Sequence, residues 1–551
     1  MDPHVASATD RARVTLARQI PGLRLHVHAA SEFASNPTGL ERCRADIAEA
    51  DIIINMMLFL EDHFQPLLPD LSARRDSCDA MVCAMSAGEV TKLTRMGRFD
   101  MSAPSSGPMA LLKKLRGAKA KTGTAGATQM AMLRRIPKLL RFIPGAAQDV
   151  RAYFLTLQYW LAGSEENMAN LVRFLVDRYA DGPRRHLRGT LKSPPPAEYP
   201  EVGVYHPRMP GRVSESVDKL PFPAGGEKAT IGLLVMRSYV LAGNAGHYDG
   251  MIAAFEARGL RVVPAFATGL DARPAIEKFF IQDGRPVIDA LVSLMGFSLV
   301  GGPAYNDAKA ADEILAKLDV PYIAAHPVEF QTLEQWQGSD RGLLPVESTI
   351  MVAIPELDGS TGPAVFGGRA QGGTTCAGCK RHCGFPQSES LRDMHVCAER
   401  AQMLASRVEK LTLLRRTERA QRKIAIVLFN FPPNAGNTGT AAYLSVFESL
   451  HRILGAMKQA GYTVDAPETV DALRAAIVNG NSARFGALAN VHAGILTDDH
   501  VRRESWLAQI EQQWGPAPGR QQSDGASIHV LGERFGNVFV GVQPTFGYEG
   551  D

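Results

Sequence analysis

Short apolar runs rich in β-branched residues alternate along this chain with stretches whose apolar positions recur at helical spacing. The runs predict strands buried in a sheet, and the periodic stretches predict amphipathic helices. Near the N-terminus, Leu23–Val27, Asp51–Phe59 and Ala80–Ala84 read as core strands, with helices around Gly39–Glu49 and Glu89–Met96. Gln148–Tyr179 is helical in period, with Tyr153, Leu157, Trp160 and Leu161 on one side as a core stripe. The alternation is cleanest further on. Strands at Ile231–Met236, Arg261–Phe266, Ala290–Leu294 and Tyr322–Ala325 are separated by helices at His247–Arg258, Ala272–Phe280 and Ala308–Leu318. That order predicts a parallel sheet with right-handed crossovers. Ala401–Lys423 is a charged helix leading into Ile424–Phe429, an apolar run that reads as a strand covered on both faces. Val470–Asn490 and Trp506–Trp514 read as helical, and Val538–Val542 as a last buried strand.

The fold class is therefore α/β and multidomain, with several parallel-sheet domains joined by helical connectors. Two breaks divide it. Between Asp100 and Asp149 there is no acidic residue, while Lys113, Lys114, Arg116, Lys119, Lys121, Arg134, Arg135, Lys138 and Arg141 accumulate around a Gly/Ala/Thr-rich middle. A basic connector is the simplest reading. Leu187–Gly226 is too rich in proline for regular structure and marks a boundary. The expected organisation is an N-terminal α/β domain with connector and helical end (1–186), a proline-rich linker (187–227) and a parallel α/β domain (228–355). A cysteine-rich insertion with its charged helix (356–422) and the start of a further α/β domain (423–551) complete it.

Composition narrows the function classes. Of 551 residues, 21% are charged and 45% hydrophobic, as in an ordinary soluble protein. A net charge of +3 gives no reason to expect nucleic acid. The N-terminus has no apolar signal segment, and no apolar run reaches membrane-spanning length. Seven cysteines argue against a disulfide scaffold and for a reducing cytoplasm.

Two stretches carry candidate chemistry. In Lys423–Leu450, KIAIVLFNFPPNAGNTGTAAYLSVFESL, proline stops a strand and a glycine-broken loop, Asn434–Thr440, follows. A helix is expected from Ala441, with Thr438 or Thr440 as its N-cap. Such a helix start would aim N–H groups at a carboxylate or another anion. It is not a Walker loop, because no lysine follows the glycines. In CAGCKRHCGFPQSESLRDMHVC, the thiols of Cys376, Cys379, Cys383 and Cys397 suit a [4Fe–4S] cluster or zinc, and His382 or His395 could replace one ligand for zinc. Arg237–Gly246 and Gly296–Asn306 fall at carboxyl ends of strands, where α/β sheets bind ligands, and Gly301-Gly302-Pro303 would let a flat ligand or another backbone come close.

The block FNFPPNAGNTGTAAYLSVFESL, together with the terminal GVQPTFGYEGD, resembles the large porphyrin-binding subunit of magnesium chelatases. So do CDAMVCAMSAGEVTKLTRMGRFDM, LQYWLAGSEENMANL, VSLMGFSLVGGPA and VPYIAAHPVEFQTLEQW, which spread the likeness over nearly the whole chain. The cobalt chelatase large subunits are more distant kin.

The resemblance implies ATP-dependent insertion of Mg²⁺ into protoporphyrin IX, with ATP hydrolysed by separate AAA+ motor subunits of the I and D types. It adds, as a further partner, the methyltransferase acting next on Mg-protoporphyrin. Members of the family are far longer, so the chain is expected to be an N-terminal portion, inactive alone. A further histidine- and glutamate-containing motif is expected past its end. Plant relatives lack the cysteine box, so a structural or oxygen-sensing role is expected for it. Chelation must remove pyrrole protons and strip water from Mg²⁺, and a carboxylate can serve both needs. Glu549 is the first candidate and Asp551 the second, with Asn434, Gly436, Asn437, Thr438, Gly439, Thr440, Gln543 and Tyr548 as substrate contacts. Two other readings stay open: a cobalt chelatase subunit acting on a corrin, and a cluster-bearing regulatory or binding module.

Overall fold

The computed structural model describes residues 5–30, 33, 36–103, 135–222, 228–302, 306–370, 375, 382–385, 393–430 and 436–544. The chain forms two compact units, Met1–Thr412 and Leu413–Asp551. Most of the basic connector, Asn434, Cys376, Cys379, Tyr548, Glu549 and Asp551 lie outside the described residues.

In the first unit, helices α1 (Ala6–Gln19) and α2 (Pro37–Glu49) precede the parallel strands β1 (Ile52–Met56) and β2 (Ala80–Ala84). Asn36 caps α2 by accepting from the Gly39 N–H, and Pro37 supplies a first residue that needs no partner. Two expectations fail here. Leu23–Val27 forms no strand; its leucines pack on the core, but no neighbour among the described residues completes a ladder. The helix expected at Glu89–Met96 is confined to Gly88–Thr91. Buried Thr94 then exchanges hydrogen bonds with the backbone of Cys83, and this starts the hairpin of β3 (Arg95–Met96) and β4 (Phe99–Asp100). Helices α3 (Ala146–Leu161) and α4 (Glu165–Tyr179) pack Tyr153, Leu157 and Trp160 into this core. Ser164 caps α4 at the Asn167 N–H, and Glu165 and Glu166 complement the helix dipole.

The rest of the first unit is built on eight strands. They are β5 (Val202–Tyr205), β6 (Val213–Ser214), β7 (Ala229–Leu234), β8 (Leu260–Ala267), β9 (Ala290–Ser293), β10 (Tyr322–Thr332), β11 (Ala364–Arg369) and β12 (Met394–Val396). Their spatial order is β12-β11-β10-β9-β7-β8-β5-β6, parallel from β11 through β8 and antiparallel at both edges. The expected alternation is present, yet the sheet is wider than its four central strands. The proline-rich stretch supplies β5 and β6; β11 precedes the cysteine box, and β12 lies within it just before Cys397. Helix α5 (Gly246–Glu256) and helix α6 (Ala398–Arg416) bury Tyr248, Phe255, Leu404 and Val408 against one face.

In the second unit, β13 (Ile424–Leu428), β14 (Val491–Leu496), β15 (Ser527–Phe535) and β16 (Val538–Val542) form a sheet in the order β13-β16-β15-β14. β13 and β16 are parallel neighbours, and the remaining pairs are antiparallel. Helix α7 (Val446–Gln459) buries Leu450 and Leu454 on one face, about 1.5–3 kcal/mol each. Among the described residues nothing covers the other face, which overturns the expectation that β13 is covered on both sides: Val427 is 64% exposed. A purely apolar run does not distinguish one buried face from two.

Candidate functional site

The carboxyl ends of β13 and β16 meet. Their register pairs Leu428 with Val542, and the Gln543 N–H continues the ladder by donating to the Leu428 carbonyl at 2.9 Å. The Gln543 side-chain Oε1 then accepts from the backbone N–H of Asn430 at 3.2 Å. On the other side, the Gly439 N–H donates to the Phe429 carbonyl at 2.8 Å. Thr438 Oγ1 lies 3.5 Å from Asn430 Oδ1. Two loops distant in sequence are thus tied to one strand end, where α/β sheets hold ligands.

Asn430 is the residue that sequence reasoning missed. It is 2% exposed, and its Nδ2 has no hydrogen-bond partner among the described residues. A buried amide without a partner costs about 1–3 kcal/mol, so a donor so placed is a candidate ligand contact. The available signal was a lone amide between two phenylalanines where the strand ends. Its chain neighbour Phe429 is exposed, so the polar groups at the strand end have an apolar neighbour.

The expected helix start is not there. The chain turns at Asn437–Gly439, with Gly439 at φ 73°, and Thr440 Oγ1 donates to the Asn437 carbonyl. The helix begins only at Val446, and neither Thr438 nor Thr440 caps it. The Gly439 N–H is spent on Phe429, and so a helix dipole does not supply the donors. Of the residues expected to contact substrate, Thr438 and Gly439 are buried, Asn437 and Gln543 are half-buried, and Gly436 and Thr440 are exposed.

The other strand-end loops are filled by the protein itself. Arg237 is buried and donates to the carbonyls of Tyr199 and Pro200. A Cβ on Gly302 would lie 2.6 Å from Leu270, so the close approach there is made by this chain's own leucine. Asp358 holds the loop by accepting from the Leu299 N–H at 2.7 Å and from Asn306 at 2.5 Å, and burial raises its carboxyl above the usual range. His247, its ring tilted 32° to that of Tyr248 with centroids 3.7 Å apart, is fully buried with neither ring nitrogen partnered among the described residues, and burial lowers it to about 3.

Of the cysteine box, Cys383 and Cys397 are described, the first half-buried and the second buried, and neither is in a disulfide. Thr375 and Gly384 form an isolated antiparallel bridge, and His395 packs 5.0 Å from Phe385.

Comparison with known proteins places this geometry. The CobN/Magnesium Chelatase family matches residues 157–551, and a domain of unknown function (DUF3479) matches residues 1–154. The H-type magnesium-chelatase subunit of Cereibacter sphaeroides is 52% identical over 100% of this chain and 46% of that protein. The chloroplastic magnesium-chelatase subunit ChlH of Oryza sativa is 35% identical over 97% of this chain and 38% of its own. The aerobic cobaltochelatase subunit CobN of a Sinorhizobium is 27% identical over 59% of this chain. The chain thus spans less than half the length of the relatives it matches. The catalytic subunit of cobaltochelatase from Mycobacterium tuberculosis has the same fold, with a TM-score of 0.55 over 98% of this chain and 38% of its own, at 20% identity.

Proposed function

The chain belongs to the CobN/magnesium chelatase family, and from that premise we propose that it holds the macrocycle during ATP-dependent insertion of Mg²⁺ into protoporphyrin IX. The observation that carries this reading is the junction of Asn430, Thr438, Gly439 and Gln543 at adjacent parallel strand ends. A porphyrin is a flat apolar disc with anionic propionates on one edge. Exposed Phe429 offers it apolar surface, and the Nδ2 of Asn430, unpartnered among the described residues, offers a donor to a propionate oxygen.

Metal insertion needs a base for the pyrrole protons and oxygen ligands for Mg²⁺ while it sheds water. The chain reaches Glu549 and Asp551 a few residues beyond Gln543, and we assign the base to Glu549 with Asp551 as second carboxylate. With no phosphate loop in its sequence, the chain leaves ATP hydrolysis to I- and D-type motor partners. Magnesium rather than cobalt chemistry is favoured by 52% identity to a magnesium-chelatase relative against 27% to a cobaltochelatase one.

The test is an absorption titration of the chain with protoporphyrin IX and, separately, with a metal-free corrin. Saturable binding of the porphyrin alone, weakened about tenfold by Asn430→Ala through loss of one hydrogen bond to a charged group, is expected. Tighter binding of the corrin, or no effect of Asn430→Ala, overturns the reading.

A further inference from the structure

Away from this site, His26, His28 and Asp46 form a group of metal-capable side chains whose ligand atoms all lie within 4.8 Å of one another. It is the one such group among the described residues. His26 Nδ1 lies 3.0 Å and His28 Nε2 2.7 Å from the same oxygen, Asp46 Oδ2. The histidines are two apart in the irregular segment that follows α1, and Asp46 stands on α2.

We propose that His26, His28 and Asp46 bind one divalent transition-metal ion of the zinc class. Two imidazoles and a carboxylate are donors of the type that catalytic and regulatory zinc sites use, with a water completing the tetrahedron. Zinc at about 2.1 Å from each ligand would hold the ligand atoms roughly 3.4 Å apart, so the two distances to Asp46 Oδ2 would open by about 0.4 and 0.7 Å. Without metal, the two lone pairs of Asp46 Oδ2 accept both imidazole N–H groups, and this keeps the three ligands together. Coordination through His26 Nδ1 and His28 Nε2 needs the lone pair of each at the metal, so each neutral ring then carries its proton on the other nitrogen.

The neighbourhood leaves the fourth position to water. His26 keeps half of its side chain exposed, and His28 and Asp46 keep about a quarter to a third. Cys43, one turn back on α2, is buried, and burial pushes its thiol up to about 11, so it stays protonated and apart. Two nitrogen donors and one carboxylate do not suit Mg²⁺, which demands oxygen ligands and keeps its water. The site therefore does not store the metal of the proposed reaction. An ion here would clamp the segment after α1 to α2, in the part of the chain that lies outside the 157–551 match.

Histidine footprinting on the unaltered chain tests this. The chain, stripped of metal and then supplied with Zn²⁺ or Mg²⁺, is treated with diethylpyrocarbonate, and modification is read residue by residue by mass spectrometry. Because the readout is local, zinc on the cysteine box does not interfere. The expected result is modification of His26 and His28 slowed at least about tenfold by Zn²⁺ and unchanged by Mg²⁺. Asp46→Asn, checked for folding by circular dichroism, should abolish most of that protection. Equal modification with and without Zn²⁺, or equal protection by Mg²⁺, overturns the proposal.

Discussion

The backbone N–H of Asn430 donates to the side-chain Oε1 of Gln543 at 3.2 Å, across 113 positions of sequence. That bond and the ladder bond from Gln543 to Leu428 lock the ends of β13 and β16 together. The segment running toward Glu549 therefore starts at the same strand end as the glycine loop.

Gly439 adopts φ 73°, and a Cβ there would lie 3.2 Å from Val446 Cγ1. Gly439→Ala is expected to cost about 1–2 kcal/mol in the second unit, because L-residues avoid this conformation and the contact is tight. It should also weaken porphyrin binding by displacing the Phe429 carbonyl. Urea denaturation and the porphyrin titration measure the two effects, and a variant as stable as the parent contradicts the geometry.

Glu549→Gln keeps the shape of the side chain and removes the carboxylate proposed as the base. Porphyrin affinity should be unchanged, while Mg²⁺ insertion by a full-length H-type protein carrying the change, assayed with its motor partners, should fall on the order of 100-fold. Insertion at the parental rate would move the base to Asp551 or elsewhere.

Chain purified without oxygen should carry zinc, or iron with sulfide, in stoichiometric amount. Cys376→Ser with Cys379→Ser should remove the iron and sulfide, or one equivalent of zinc beyond any held by His26, His28 and Asp46, since a tetrahedral thiolate site does not survive loss of two ligands. Absence of all three elements from the parent would leave the box as free thiols.

Burial lowers His247 to about 3, from 6.5. The folded chain thus holds it neutral, while the unfolded chain takes up a proton below 6.5. Stability from this residue is complete above pH 6.5, falls by about 1.4 kcal/mol per pH unit below it, and stops falling near pH 3. His326, lowered by burial to about 4, adds a parallel slope. His247→Phe, which suits a pocket lined by Tyr239, Tyr248 and Phe366, should make the first unit less acid-sensitive between pH 6.5 and 4.5. Denaturant midpoints across that range would give an unchanged slope if His247 were protonated in the folded chain.

Local pattern sufficed for much of this molecule. The alternation from Ile231 to Ala325 specifies a parallel sheet, because each apolar run needs two covered faces and each periodic stretch one. Ser164 before two glutamates and Asn36 before Pro37 announce helix starts from local chemistry alone. Pairing was not legible. Leu23–Val27 has the alternation of a strand but no neighbour among the described residues to complete its ladder, whereas the proline-rich stretch found one for Val202–Tyr205. Ile424–Leu428 reads as doubly buried, yet only the tertiary arrangement decides which faces receive helices. The candidate site divides in the same way. Its loops were visible as glycine and proline breaks, but the contacts of Asn430 with Gln543 and Thr438 exist only because β13 and β16 are neighbours. The triad of His26, His28 and Asp46 was silent for the same reason: two elements eighteen residues apart meet at one oxygen, and only folding brings them there.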